Sequence, residues 1–124
     1  MTKTSHYILL ILYMKYYEIC LGNMNEDYDL LKLKLDCNDY FEIKIDTKNI
    51  NNVSFKMLFD FSIYLQKLKM KKPTYLTRSK IIVYSKNIYD MLYILFMYLT
   101  KPIAPVDVIL YDNSTIILLK TFFP

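Results

Sequence analysis

The sequence predicts one small α/β domain, with a mixed, mostly parallel sheet and two main helices packed on one face. Three observations predict it. Apolar and polar residues alternate in short segments, apolar residues recur every three or four positions in two longer segments, and the two patterns follow one another along the chain. The 124 residues suffice for one domain, with an N-terminal strand or short helix extension over 1–29 and a sheet-and-helix core over 30–124.

The first two strands are predicted at residues 31–35 and 41–46, because an apolar residue alternates with a charged one in both segments. We expect residues 36–40 to join them as a hairpin. In that register Leu35 lies opposite Phe41, so that apolar side chains pair across the two strands.

The remaining elements follow in alternation. Ser54 predicts a helix N-terminus, because its hydroxyl can accept a hydrogen bond from a free backbone N–H group, and Pro73 ends that helix. The central strand is predicted from a short β-branched run that is apolar on both faces. In order, the predicted elements are a helix over 54–70, a strand over 81–84, a helix over 86–99, and strands over 106–111 and 115–122.

Right-handed crossovers place both helices on one face if the sheet grows in one direction. The opposite face then needs a cover, because residues 81–84 are apolar on both sides. The segment Tyr7–Leu21 or another subunit is expected to supply this cover. Its apolar run, residues 7–14, is far shorter than the roughly 20 residues that cross a bilayer.

Composition argues against several classes of function. A single glycine, Gly22, cannot build a glycine-rich phosphate loop, and the only histidine, His6, lies near the N-terminus. We therefore predict a non-enzymatic protein without cofactor or metal. Cys20 and Cys37 form no CxxC pair, which predicts reduced thiols and an intracellular location.

A group of basic residues surrounds the turn between the first long helix and the central strand. The net charge is +4, but lysines are interspersed with acidic residues and there is one arginine, so nucleic acid is not favoured as a partner. A solvated loop and a contact to phosphate or an acidic partner are the two interpretations of this candidate basic patch, namely Lys69, Lys71, Lys72 and Arg78.

The second long helix is unusual because residues 91–99 carry no charge. Opposite its core-facing side chains it presents Tyr89, Tyr93 and Met97, residue types that are enriched at protein interfaces. We interpret these three residues either as a partner surface or as part of a helix that is buried within the domain.

Residues 46–55, Asp-Thr-Lys-Asn-Ile-Asn-Asn-Val-Ser-Phe, follow a strand and enter an apolar helix. This arrangement resembles the core of STAS domains over about residues 30–111. The resemblance implies a STAS-like fold, a non-enzymatic interaction module and a regulatory phosphorylation site at Ser54, with Asp46 as the strand-end acid. The family's Asp-Ser-Ser-Gly motif is not present here, and a helix N-cap is the second role for Ser54.

The sequence therefore predicts one of two functions. The first is a regulatory or scaffolding module that binds a protein partner or a second copy of itself. The second is a structural subunit of a large assembly, such as a virus particle or an organellar complex. The abundance of lysine, asparagine, tyrosine and isoleucine indicates an AT-rich genome, and a buried subunit would tolerate such a composition.

Overall fold

The computed structural model describes residues 15–21, 24–35, 39–50, 53–71 and 75–124. Within these ranges five strands and three α-helices follow one another, and a π-helical turn extends the third helix. The elements are β1 (Lys15–Cys20), α1 (Met24–Leu35), β2 (Phe41–Asp46), α2 (Phe55–Lys71), β3 (Leu76–Val83), α3 (Lys86–Ile94) with the π-helical turn Leu95–Leu99, β4 (Val106–Asp112) and β5 (Thr115–Phe122).

The strands form one mixed, mostly parallel sheet in the order β1-β2-β3-β4-β5. β1 to β4 are parallel to one another, and β5 returns antiparallel to β4. Because strand order follows chain order, each helical crossover moves the sheet in the same direction. All three helices therefore lie on one face, and the predicted α/β fold class is confirmed.

The hydrophobic core lies between this helix layer and the sheet. Alternate residues of β2, β3 and β4 point into it, among them Phe41 and Val108, which are fully buried. The predicted central strand is the third of five, and its residues Ile81, Ile82 and Val83 are buried on both faces of the sheet. Tyr84, which was included in that prediction, follows the strand and is exposed.

The β4–β5 hairpin closes through a two-residue turn. Asn113 and Ser114 both have positive φ, 49° and 64°, as a type I′ turn requires. Asparagine tolerates this conformation better than most residues. The predicted strand over 115–122 and the turn before it are thus confirmed.

The predicted hairpin of residues 31–35 and 41–46 is wrong, because residues 31–35 are the last turns of α1. Leu31 and Leu35 are four residues apart and both are buried, whereas Leu33 is exposed. The alternating leucines and lysines therefore also fit a helix, in which Leu31 and Leu35 lie on one side as an i, i+4 pair. The true partners of β2 are β1 and β3, both parallel.

The same pairing corrects the expected role of the N-terminal segment. Lys15–Cys20 does not cover the open face of the sheet; it is the first strand, at the edge beside β2. Residues 7–14, the other part of that prediction, lie outside the described residues. The open face carries no helix in the described part of the chain.

Candidate interaction surfaces

The open face changes character from β1 to β5. On β2, the side chains that alternate with the buried ones are Glu42, Lys44 and Asp46, all charged. On β4 the corresponding positions include Ile109, which is buried yet lies outside the helix-side core. Ile109 is paired with Leu119 of β5. The half of the open face toward β1 is therefore suited to water, and the half toward β5 has an apolar part at Ile109 and Leu119.

A bidentate ion pair lies where the two halves meet. Arg78 donates from Nε and Nη2 to the two carboxylate oxygens of Asp107, both at 2.9 Å, and the Thr121 hydroxyl donates to the same carboxylate at 2.6 Å. The Asp107 side chain is only 8% exposed. This network joins β3, β4 and β5, and it gives the buried charge the partners that it requires.

Two further polar contacts lie toward β1. Lys44 pairs with Glu18 at 3.5 Å, and the charge of Glu18 raises the pKa of Lys44. Tyr84 donates from its hydroxyl to Asp46 at 3.2 Å, and its pKa is raised above 10.0 by burial and then by the Asp46 charge. Asp46 also accepts the Lys48 backbone N–H at 2.9 Å, so its carboxylate has structural partners.

The outer strand β5 is the first of two exposed apolar surfaces. Three of its residues and the residue that follows it define what we call the β5 patch. The three strand residues are 51%, 52% and 55% exposed and the residue that follows is 65% exposed. These are Ile116, Ile117, Leu119 and Phe123. In the described part of the chain β5 is hydrogen-bonded to a neighbour on one side only, so its outer backbone groups are open to another strand.

The second surface is on α2, which is apolar on two sides. Leu58, Leu65 and Leu68 face the core. On the outer side, exposed apolar residues recur at spacings of four, four and seven, which places them along one line of the helix. We call this line the α2 stripe, and it consists of Phe55, Phe59, Ile63 and Met70.

The predicted partner surface on α3 needs correction. Tyr89 is buried, and Tyr93 is half-buried with its ring edge-on to Phe122 of β5 at 5.7 Å. Both rings therefore pack on the helix side of the sheet, and that of Tyr93 contacts β5. Met97 is exposed, as is Tyr98 beside it. The widened π-helical turn rotates the residues after Leu95 relative to a regular helix, which brings Tyr98 to the surface.

The candidate basic patch does not converge. Arg78 is engaged with Asp107 on the open face, whereas Lys69 is exposed on α2, in the helix layer. Lys71 is the last residue of α2, and Lys72 lies outside the described residues. Arg78 is therefore a structural partner of a buried carboxylate and does not form one cationic surface with Lys69.

Ser54 is the N-cap of α2. Its hydroxyl oxygen accepts the backbone N–H of Met57 at 3.2 Å, three residues into the helix, as an N-cap does. The residue is exposed, so this role leaves its hydroxyl at the surface. The geometry accounts for the serine at this position without a regulatory role.

An apolar cavity of about 90 Å³ lies under the helix layer, near the carboxyl ends of β2 and β3. Among its described lining residues Thr47 is the only polar one, and its hydroxyl donates to the Ile82 carbonyl at 2.7 Å. Binding sites combine apolar walls with a few convergent polar groups. This cavity is therefore a packing gap in the core.

Chemically reactive groups are sparse in the described ranges. No three His, Cys, Asp or Glu side chains lie close enough to hold a metal ion among residues 15–124 outside the gaps. Cys20 is a free, exposed thiol; His6 and Cys37 lie outside the described residues. Within the same ranges, no helix has the length and apolar character needed to cross a membrane.

Sequence reasoning missed both exposed surfaces, although each leaves a signal. Residues 116–119 of β5 are four consecutive apolar residues in the last strand of the chain, where a single buried face would require only two. Phe55 and Phe59 lie four apart and on a different side of α2 from Leu58. A second apolar side on an element that already has a core side indicates an interface.

Comparison with protein-family models, curated proteins and solved structures gives no match to this chain. The resemblance to STAS domains therefore stays a prediction.

Proposed function

We propose that the chain is a non-enzymatic, intracellular protein-interaction module that regulates or scaffolds its partners. The observation that carries this proposal is the pair of exposed apolar surfaces, the β5 patch and the α2 stripe. Single exposed apolar residues are ordinary on soluble proteins, but clustered ones mark sites where another molecule binds. The free thiol of Cys20 accords with a reducing compartment.

Charge supports a protein partner over nucleic acid. Phosphate backbones are bound by clustered cations. Here Arg78 and Lys44 are paired with carboxylates, and the β5 strand carries a single charged residue, Lys120. The exposed side chains on both surfaces are isoleucine, leucine, phenylalanine and methionine, which gain free energy by leaving water together.

A structural subunit of a larger assembly is the second candidate. It is favoured by the positions of the two surfaces, one at an edge of the sheet and the other on the outside of the helix layer. A subunit with neighbours on two sides needs two such surfaces. This candidate predicts that the isolated chain is poorly soluble, whereas a regulatory module purifies as a monomer or small oligomer.

Affinity purification from the source cells, with matched variants, tests the proposal. Phe59→Lys introduces a charge into the α2 stripe and Ile117→Lys into the β5 patch, while Asn87→Lys adds the same charge at an exposed position of α3, outside both surfaces. We expect wild type and Asn87→Lys to retain the same proteins, and at least one of the other two variants to lose some of them. Identical protein sets for all four chains would contradict the proposal.

A further inference from the structure

We propose that β5 pairs antiparallel with β5 of a second copy, which joins two domains into one ten-stranded sheet. This inference rests on the proposed function and names the partner of one of its two surfaces. The starting point is the backbone: β5 is eight residues long, about 27 Å at 3.4 Å per residue, and bonds to β4 alone in the described part of the chain.

Strand pairing satisfies the outer N–H and C=O groups of β5 along that length. A second β5 offers an equal row of the same groups, so an antiparallel contact between copies satisfies both strands at once. The two-fold axis then stands perpendicular to the sheet. Both helix layers consequently lie on the same side, and the apolar parts of the two open faces become continuous.

Charge favours a second copy as the occupant. β5 contains no acidic residue, and its one charged residue is Lys120. If the axis passes through Leu119, the register that uses the regular part of β5 on the Phe122 side of its bulge at Ile117, Lys120 lies opposite Leu118 of the other copy. This register does not place lysine against lysine, so the contact avoids the repulsion that like charges opposite each other produce.

The side chains match in the same register. With the axis at Leu119, that residue faces Leu119 of the other copy. Its side chain is more than half exposed in the single chain. Pairing therefore covers apolar side chains with apolar side chains on the open face.

The assembly closes at two copies. The other sheet edge, β1, carries Lys15 and Glu18, whose charges oppose addition of a further strand. The contact is a strip about one strand wide, smaller than the roughly 800 Å² per partner of a standard interface. We therefore expect a weak dimer, with a dissociation constant on the order of micromolar.

Sedimentation velocity of the full chain over a concentration series tests this inference. We expect a shift from 15.0 kDa toward twice that mass as concentration rises. Leu119→Lys should raise the dissociation constant about 100-fold or more, because it brings two ammonium groups together in an apolar contact. Ile117→Lys should act in the same direction, and Met70→Lys, at an 87% exposed position of the α2 stripe, should leave the dimer unchanged.

Spin labels on the dimer test the antiparallel arrangement. A label at Leu119 should lie within about 15 Å of its copy, whereas a label at Thr115, at the other end of the strand, should lie about 27 Å from its copy, eight residues of strand away. Short distances at both positions would indicate parallel pairing and overturn the inference.

The inference also fails if the chain stays a monomer at all concentrations, or if Met70→Lys dissociates the dimer and Leu119→Lys does not. Either result leaves the proposed function standing wherever Phe59→Lys still loses a cellular partner. The two failures are therefore distinguishable. Circular dichroism of each variant verifies that its domain is folded.

Discussion

The two edges of the sheet differ in length, charge and exposed apolar area. β1 has six residues, and its Glu18 pairs with Lys44 of β2 while Lys15 pairs with Asp39 at 3.3 Å. β5 has eight residues and one charged side chain, and two isoleucines and one leucine of this strand are more than half exposed. Natural sheets protect their edges with short strands and charges. By these features β1 is protected against the addition of a strand, whereas β5 has less of this protection.

Attachment to the helix layer also differs between these edges. Phe122 of β5 is buried and contacts the rings of Tyr93 at 5.7 Å and Phe96 at 5.5 Å. On β1, the half-buried Tyr17 ring contacts Phe41 at 5.7 Å. The exposed strand β5 is thus attached to the helix layer through Phe122 near its C-terminal end.

Removing the charges of β1 should have the largest effect, which is a change in the size of the assembly. In the double variant Lys15→Val, Glu18→Val, both edges are apolar, so each copy can pair on two sides and open-ended assemblies should form. Sedimentation velocity measures their mass. The matched control Asp90→Val, Lys101→Val also removes one charge of each sign from exposed positions, and it should keep the wild-type distribution. Equal masses for the two double variants would show that charge does not close β1.

Truncation of the β5 anchor should have the next largest effect. Phe122→Ala should lower the free energy of unfolding by about 3–5 kcal/mol, because it removes a buried aromatic ring and leaves a cavity. Phe123→Ala changes an exposed ring and should have an effect within about 0.5 kcal/mol. Urea denaturation of the monomeric Leu119→Lys background measures both without a contribution from dimerisation. Equal losses would mean that Phe122 does not hold β5 to the helices.

The smallest expected effect is a change in the free energy of unfolding when a hydrogen bond on the polar half of the open face is removed. Tyr84→Phe removes the hydrogen bond to Asp46 and should cost about 0.5–1.5 kcal/mol at pH 8. Since the folded-state pKa of Tyr84 lies above its ordinary value of 10.0, this contribution is fully present below that pH and is lost as pH rises through the raised pKa.

Urea titrations of wild type and Tyr84→Phe at pH 8 and near pH 11 check this sign. The difference between the two proteins should shrink at the higher pH. A difference that grows with pH would mean that the tyrosinate form is the one stabilised in the fold.

Much of the fold could be predicted because its signals are local. Residues 115–122, the Ser54 N-cap and the helix that begins after it all follow from short-range pattern and turn chemistry. The error at residues 31–35 arose because Leu-Lys-Leu-Lys-Leu satisfies both a strand alternation and a helical i, i+4 pair. The parallel pairing of β1 with β2 explains why residues 31–35 are helical. Parallel strands need a crossover connection, and these residues belong to the helix that forms it.

The surfaces were harder to predict than the elements. Whether Tyr89 and Tyr93 face outward depends on how α3 packs on the sheet. Tyr89 is buried in the core, and the Tyr93 ring contacts Phe122 of the antiparallel strand β5. Their burial depends on tertiary packing and cannot be predicted from helical periodicity alone. In the same way, hydrophobicity alone would place Phe59 in the core. The structure shows that Leu58 and Leu65 face the sheet, which leaves Phe59 on the outer side of α2.

Hydrogen exchange at two protein concentrations tests the central claim most directly. In the dimer, the outward-facing backbone amides of β5 are bonded to a second strand, and on dilution they become free. We predict that every second amide of residues 115–122 loses protection on dilution while protection along Lys15–Cys20 is unchanged. Protection of β5 that is independent of concentration, or a concentration dependence at β1, would contradict the assignment of the pairing edge.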